Sequence, residues 1–126
     1  MPLAARIVLE TAAALIALGG LYDLFVPRLP SNLAVICGNN ERARKLVREL
    51  LRALGGALVA IGLTVALLVA KSDTPPRPLI LLLVLLLVLP SETINAFCMR
   101  RVGSPFYFPL AFALLTLFGV LLAWPR

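Results

Sequence analysis

Glu92 stands out chemically because its carboxyl group follows a long run of aliphatic side chains. Eleven aliphatic residues, from Leu79 to Leu89, precede Pro90, and only Ser91 separates this proline from Glu92. If this stretch crosses a bilayer as a helix, the Glu92 carboxylate is costly unless it is paired or faces a polar cavity. Glu92 is therefore the first candidate for accepting a proton or for binding the polar head of a ligand.

Four other polar residues are expected on the same side of the membrane as Glu92. Asp23 lies near the end of a first apolar segment, Arg48 and Arg52 precede a second, and Asn95 follows Glu92 by three positions. An Arg52–Glu92 or Arg48–Asp23 ion pair would neutralise charges that lipid does not solvate. Two interpretations stay open: an ion-pair clamp that fixes helix register, and a polar pocket at one leaflet with Glu92 at its centre.

Glu10 is a further acidic residue inside an apolar segment. Arg6 precedes it by four positions, so an ion pair on one helix face could shield it, or Glu10 could itself bind a proton. The chain contains no His, and Cys37 and Cys98 form no CxxC motif. No metal site, thiol-redox centre or cofactor is therefore expected, while a disulfide between the two cysteines stays open.

Composition defines the elements that must position these residues. The chain has 126 residues, of which 61% are hydrophobic and 14% charged, and its mean hydropathy is +1.00. Because so little polar surface cannot cover a soluble domain, we expect an all-α, polytopic membrane protein. One domain, 1–126, has room for a four-transmembrane-helix bundle, with spans at about 4–26, 53–70, 78–99 and 106–124.

Two of the predicted spans carry special features. Arg44, Arg48 and Arg52 form a basic stripe on an amphipathic extension that leads into the second span, as in helices that touch the lipid surface. Pro90 removes one backbone hydrogen bond and predicts a kink in the third span. If Pro90 instead ended that span, Glu92 would be solvated at the interface.

Small residues recur at helical spacing on the first two spans. Ala13, Ala17 and Gly20 form one strip, and Gly56 and Ala60 form a small-xxx-small pair. Surfaces of this kind let helix backbones approach closely in membranes. The sequence therefore predicts helix packing at both places, within one chain or between copies.

The distribution of charge predicts orientation and partners. The net charge is +6, and the basic residues lie between or beside the apolar segments, which indicates contact with membrane lipids and not with nucleic acid. Of the twelve Lys and Arg residues, eight lie on the side of the 27–52 and 100–105 connections. The positive-inside rule then places both termini outside the cytoplasm in a multi-pass protein of the inner membrane.

Three stretches of the chain carry a resemblance to a known group. They are the segment RELLRALGGALVAIGL, the preceding segment LYDLFVPRLPSNL, and a basic Gly-Ser-Pro turn before an aromatic last span. Together they resemble the small four-helix DoxX-like membrane proteins of bacteria. The resemblance implies a four-span α-helical bundle in the cytoplasmic membrane, and it transfers no catalytic residue.

Several functions fit these features. The first is a small membrane protein that binds an apolar or amphiphilic ligand, such as a lipid or quinone, or that assists assembly of a membrane complex. The second is a proton-coupled small-molecule transporter acting as a homodimer. The third is an intramembrane lipid isomerase with Glu92 as acid or base and with Asn95 or Thr93 orienting the substrate, although the absence of His weakens the enzyme hypothesis. A structural subunit of a larger complex is the fourth.

Overall fold

The computed structural model describes residues 1–25, 29–72 and 77–125, and within these ranges the chain is helical. Its five helices are α1 (Leu3–Leu24), α2 (Ser31–Cys37), α3 (Glu41–Ala70), α4 (Arg77–Arg101) and α5 (Tyr107–Ala123). The described residues contain no β-strand, which confirms the all-α prediction. The predicted end of the first span at residue 26 and the middle of the connection before α4 lie outside the described residues.

Three of these helices, α1, α3 and α4, are long and apolar enough to cross a membrane. The fifth helix is also apolar, but its 17 residues make it shorter. Large hydrophobic side chains cover the outside of the helices, and Leu18, Leu67, Leu86 and Leu121 are each more than 60% exposed. Water does not favour a surface of this kind, so a membrane protein is the class that fits the fold.

The helices pack as an antiparallel bundle around α1. The first helix lies along α3 on one side and α5 on the other, while α4 packs broadly on α5 and only narrowly on α3. No close backbone approach joins α1 to α4 in the described part of the chain, so these two helices lie on a diagonal. The inner faces of α1 and α4 therefore lie opposite each other across the centre of the bundle.

The closest contact in the bundle is between the backbones of α1 and α3. A Cβ atom on Gly20 would lie 2.6 Å from the carbonyl oxygen of Gly55, and one on Gly62 would lie 2.8 Å from Ala17. The predicted packing strip on α1 is thus confirmed. The prediction for Gly56 is wrong for packing within the described part of one chain, because nothing there lies within 4 Å of its Cβ position. Adjacent residues point about 100° apart on a helix, and it is Gly55 that faces α1.

The third helix is much longer than the part of it that contacts α1. Its 30 residues continue without a break from the basic extension into the apolar segment, as predicted, and the Asn40 side chain accepts a hydrogen bond from the backbone of Ala43 at its start. The backbone nitrogen of Leu24, at the end of α1, lies beside Gly55. The first part of α3 therefore extends by about 20 Å past the end of α1, where α2 contacts it.

Two side-chain contacts identify which connections share an end of the bundle. At one end the Ser72 hydroxyl approaches the Met1 sulfur at 3.9 Å. At the other end the Asn32 side-chain amide donates a hydrogen bond to the Ser104 hydroxyl, which joins α2 to the turn before α5. The prediction that the 27–52 and 100–105 connections lie on one side is therefore confirmed for these two residues.

Candidate functional site

Glu92 is a buried residue on the inner face of α4. Its side chain is 1% exposed, and it continues a stripe of buried residues at helical spacing that includes Val84, Val88 and Ala96. The helix runs through Pro90 without interruption. The alternative in which the span ends at this proline and leaves Glu92 solvated is therefore wrong, while the predicted bend at Pro90 stays a prediction.

The Glu92 carboxyl group lacks a complete set of hydrogen-bond partners. Its Oε1 atom is fully buried and has no partner among the described residues. The neighbouring Ser91 hydroxyl does not serve Glu92, since it donates to the backbone carbonyls of Leu87 (2.8 Å) and Val88 (3.1 Å). A buried carboxyl oxygen without a donor is unusual, because most buried polar atoms in proteins are hydrogen-bonded.

Asp23 is the acidic residue that the fold brings to Glu92. It lies in the last turn of α1 and is half-buried, and its carboxylate is close enough to Glu92 for a direct Coulombic interaction. The position of Asp23 is set by the α1–α3 contact, since a Cβ atom on Gly55 would lie 3.0 Å from its backbone carbonyl carbon. Two acidic side chains from diagonal helices thus form what we call the carboxyl pair, Asp23 and Glu92.

Arg52 does not join the carboxyl pair, so the predicted Arg52–Glu92 contact is wrong. Its guanidinium lies 2.8 Å from the Glu49 carboxylate one turn earlier on α3, and the two side chains are 43% and 54% exposed. An exposed partner on the same helix neutralises Arg52 without the desolvation that pairing in the interior requires.

Arg48 likewise forms no ion pair with Asp23 in the described structure, which corrects the second predicted contact. It lies seven residues before Gly55 on α3, about 10 Å beyond the level of Asp23. Its Nε atom is buried and has no hydrogen-bond partner within the described ranges, and the residue lines a surface groove where α3 begins. The residues lining this groove are Asn39, Glu41, Arg44, Lys45, Arg48 and Glu49. The expected single cluster is therefore divided into a basic groove and a carboxyl pair.

The remaining sequence candidates occupy different places. Asn95 is half-buried one turn after Glu92 on α4, which leaves it near the carboxyl pair. Glu10 is half-buried on α1, 13 residues before Asp23 and therefore about 20 Å away along the helix. The Arg6–Glu10 ion pair is not formed within the described residues, although Arg6 makes an interaction of its own. Glu10 is thus separate from the site.

Two polar features of the bundle were not predicted from the sequence. The Asn32–Ser104 hydrogen bond joins residues 72 positions apart, and the Gly-Ser-Pro turn alone does not indicate its partner. Thr116 on α5 is fully buried, but its hydroxyl donates to the carbonyl of Phe112 at 2.8 Å. The sequence signal for Thr116 was its position as a threonine in the middle of an apolar span, and its hydroxyl is satisfied locally by the preceding turn.

The chemistry available at the carboxyl pair is that of two acids among apolar side chains. The described residues hold no group of three or more side chains suited to a metal ion, and Cys37 and Cys98 are both free thiols, so the disulfide left open by the sequence is absent. Such a pair can bind a proton, a cation or a hydrogen-bond donor. No protein-family model matches the chain, and no match was found among curated proteins or solved structures.

Proposed function

We propose that this protein is a small integral membrane protein that binds an amphiphilic, lipid- or quinone-like ligand at the carboxyl pair. The observation that carries the proposal is the fully buried Oε1 atom of Glu92, which has no hydrogen-bond partner among the described residues. Leaving a buried polar atom unsatisfied costs about 1–3 kcal/mol. A ligand whose head group donates a hydrogen bond to Glu92 removes that cost when it binds.

The surroundings of Glu92 support a ligand with an apolar tail. On α4 its buried neighbours one turn away are Val88 and Ala96, and the adjoining outer face carries exposed Leu86 and Phe97. The contact between α3 and α4 is narrow, so these are the two helices that would separate to admit the tail from the lipid. A carboxyl group among apolar side chains suits an amphiphile better than a small polar solute.

The membrane arrangement that we propose contains four spans. In this arrangement α5 crosses the bilayer with α1, α3 and α4, α4 bends at Pro90, and the DoxX-like resemblance holds for the whole bundle. The location is the bacterial inner membrane, with both termini outside the cytoplasm. The abundance of basic residues on the α2 side, including Arg42, Lys45, Arg100 and Arg101, supports this orientation.

Self-association, or docking into a larger membrane complex, belongs to the same proposal. Gly56 and Ala60 are small residues on the outer surface of α3, and no atom of the described residues lies within 4 Å of a Cβ atom on Gly56. Surfaces of this kind favour close packing of helices from separate chains. A Gly56→Leu variant with a reduced dimer fraction in detergent would support this interface.

The first experiment is native mass spectrometry of the protein purified in a mild detergent. We expect a co-purifying amphiphile in the wild type that is lost in Glu92→Gln, because the amide keeps the shape of the side chain and removes its charge. The matched control is Glu10→Gln, which changes a half-buried carboxyl on α1 far from the site. Equal ligand occupancy in all three proteins would overturn the proposal.

A proton-coupled transporter acting as a homodimer is the second candidate. It is favoured by the Coulombic interaction of Asp23 with Glu92, since two interacting carboxyl groups can exchange a proton for a ligand. This function requires electrogenic uptake in liposomes that Glu92→Gln abolishes and Glu10→Gln preserves. Ligand binding without any transport would leave the binding function alone.

A further inference from the structure

We propose that the head group bound at the carboxyl pair carries a positive charge, as in a protonated long-chain amine. This inference rests on the proposed ligand-binding function and specifies the chemical class of the ligand. It starts from the Oε1 atom of Glu92, which is buried and has no hydrogen-bond partner among the described residues. Glu92 as a whole is only 1% exposed, and its carboxyl group interacts electrostatically with Asp23.

The charges around Glu92 favour a cation over an anion. Among the described residues, Asp23 is the charged group that acts on Glu92, and the two carboxylates carry the same sign. Neither of the two predicted cations forms an ion pair with Glu92 within the described residues, since Arg52 pairs with Glu49 and Arg48 lines the basic groove. A positive head group balances both carboxylates, whereas an anionic phosphate or carboxylate would be repelled by them.

A neutral head group fits the site less well than an ammonium group. A hydroxyl can donate to the Oε1 atom of Glu92, but it does not balance the charge of Asp23. A primary ammonium has three N–H donors, so it can donate to the Oε1 atom of Glu92 while its positive charge offsets that of Asp23. The bond from an ammonium to a carboxylate is charge-assisted, and the apolar setting strengthens it.

An inorganic cation offers the same charge but a poorer fit to these surroundings. Sodium, potassium and divalent ions prefer several oxygen ligands, and the described residues contain no group of three or more acidic or other metal-binding side chains. The buried neighbours of Glu92 on α4 are Val88 and Ala96, which supply no oxygen from their side chains. The apolar neighbours instead match the alkyl chain that adjoins the nitrogen of an amine.

The test compares three amphiphiles of equal chain length: dodecylamine, dodecanol and dodecanoate. Their affinities for the purified wild-type protein are measured by isothermal titration calorimetry in a neutral maltoside detergent. We expect the amine to bind about tenfold more tightly than the alcohol, and the carboxylate to bind most weakly, because charge-assisted bonds exceed neutral ones. A further titration with NaCl and KCl measures inorganic cations at the same site.

Three variants locate the preference. In Glu92→Gln, the ratio of amine affinity to alcohol affinity should fall by at least about tenfold. In Asp23→Asn, the same ratio should fall by a smaller factor. Glu10→Gln should keep the wild-type order. Circular dichroism and gel filtration verify folding of each variant, and because Asp23 is only half-buried, Asp23→Asn provides the result if Glu92→Gln does not fold.

Each outcome bears on one of the two proposals. Dodecanol or dodecanoate binding as tightly as the amine would overturn the positive head group and leave the amphiphile-binding function intact. Saturation by millimolar sodium or potassium that abolishes amine binding would assign the carboxyl pair to an inorganic cation and overturn the inference. Binding of none of the three amphiphiles would overturn the proposed function itself.

Discussion

The two helices that carry the carboxyl pair are held in the bundle in different ways. On α1, Gly20 meets Gly55 of α3 backbone to backbone, and Gly119 of α5 lies against Leu9. On the opposite corner, α4 contains no glycine and packs through branched aliphatic side chains, broadly on α5 and narrowly on α3. One helix is therefore fixed by its backbone, and the other is fixed by side chains.

This difference assigns separate tasks to the two acidic residues. A displacement of α1 has to separate backbones in close contact, so Asp23 keeps its position in the bundle. A displacement of α4 requires only changes of side-chain rotamers at its interfaces, which close-packed helices accommodate at lower cost. The site thus combines a fixed acid with an acid on the more adjustable helix, an arrangement that lets Glu92 adapt to a ligand.

The largest effect is expected where α1 meets α3. Gly55→Ala places a Cβ atom 2.5 Å from the carbonyl oxygen of Gly20 and should destabilise the bundle by about 2–3 kcal/mol or more, because backbone atoms cannot move aside. Unfolding in a detergent–denaturant titration measures it. The matched control is Gly56→Ala, whose new methyl group meets open space and should raise stability by up to about 1 kcal/mol. Equal effects of the two changes would contradict the backbone contact.

The next largest effect concerns the free energy of unfolding of the ligand-free bundle, which the buried Glu92 carboxyl group should lower. Glu92→Met replaces an unpartnered buried carboxyl with an apolar side chain of similar length, so the delipidated protein should gain about 1–3 kcal/mol. Thermal unfolding followed by circular dichroism measures the change. Thr116→Val provides the comparison on α5, where the hydroxyl is already bonded to its own helix, and it should not stabilise. A loss of stability in Glu92→Met would mean that Glu92 holds the fold together.

A smaller effect is expected at the hydrogen bond that restrains the end of α4. Asn32→Ala and Ser104→Ala should each cost about 1 kcal/mol, the usual contribution of one partly buried hydrogen bond. The double variant should cost no more than either single change, since both remove the same bond. Unfolding of the wild type, the two single variants and the double variant completes a double-mutant cycle. Strictly additive losses of stability would show that the two residues act independently.

The smallest effect belongs to the exposed Arg52–Glu49 pair. Arg52→Ala should change stability by only a few tenths of a kcal/mol, because exposed pairs on one helix contribute little. The same variant should leave ligand affinity at the carboxyl pair within twofold of the wild type. A loss of binding equal to that of Glu92→Gln would mean that Arg52 belongs to the site after all.

Much of the fold could be predicted from the local pattern of apolar and polar residues. The partners of the charged side chains could not be predicted in this way. The aliphatic run before Pro90 predicts a span that carries Glu92 inside it, and Glu92 is indeed buried. The expected partner of Arg52 was wrong because Glu49, one turn away on an exposed face, satisfies it at low cost. Local partners of this kind compete with every long-range contact that topology allows.

The rotation of each helix about its own axis is the second feature that the sequence pattern does not predict. Gly55 and Gly56 are adjacent and equally small, yet only Gly55 faces another helix. In apolar spans hydrophobic periodicity is weak, because the lipid-facing and core-facing residues are both aliphatic. The choice between the two glycines, like the nearness of Asp23 to Glu92, depends on how four helices settle against one another.

The hydrogen bond between Asn32 and Ser104 also has a consequence for the order in which contacts form during synthesis of the chain. The amide is synthesised 72 residues before the hydroxyl that accepts from it, and both turns must reach the same membrane surface. During synthesis α1 and α3 can complete their backbone contact before α4 and α5 leave the ribosome. This bond closes only after α4 has been synthesised, because Ser104 follows α4 along the chain, so its formation marks the point at which the turns on either side of α3 and α4 have come together.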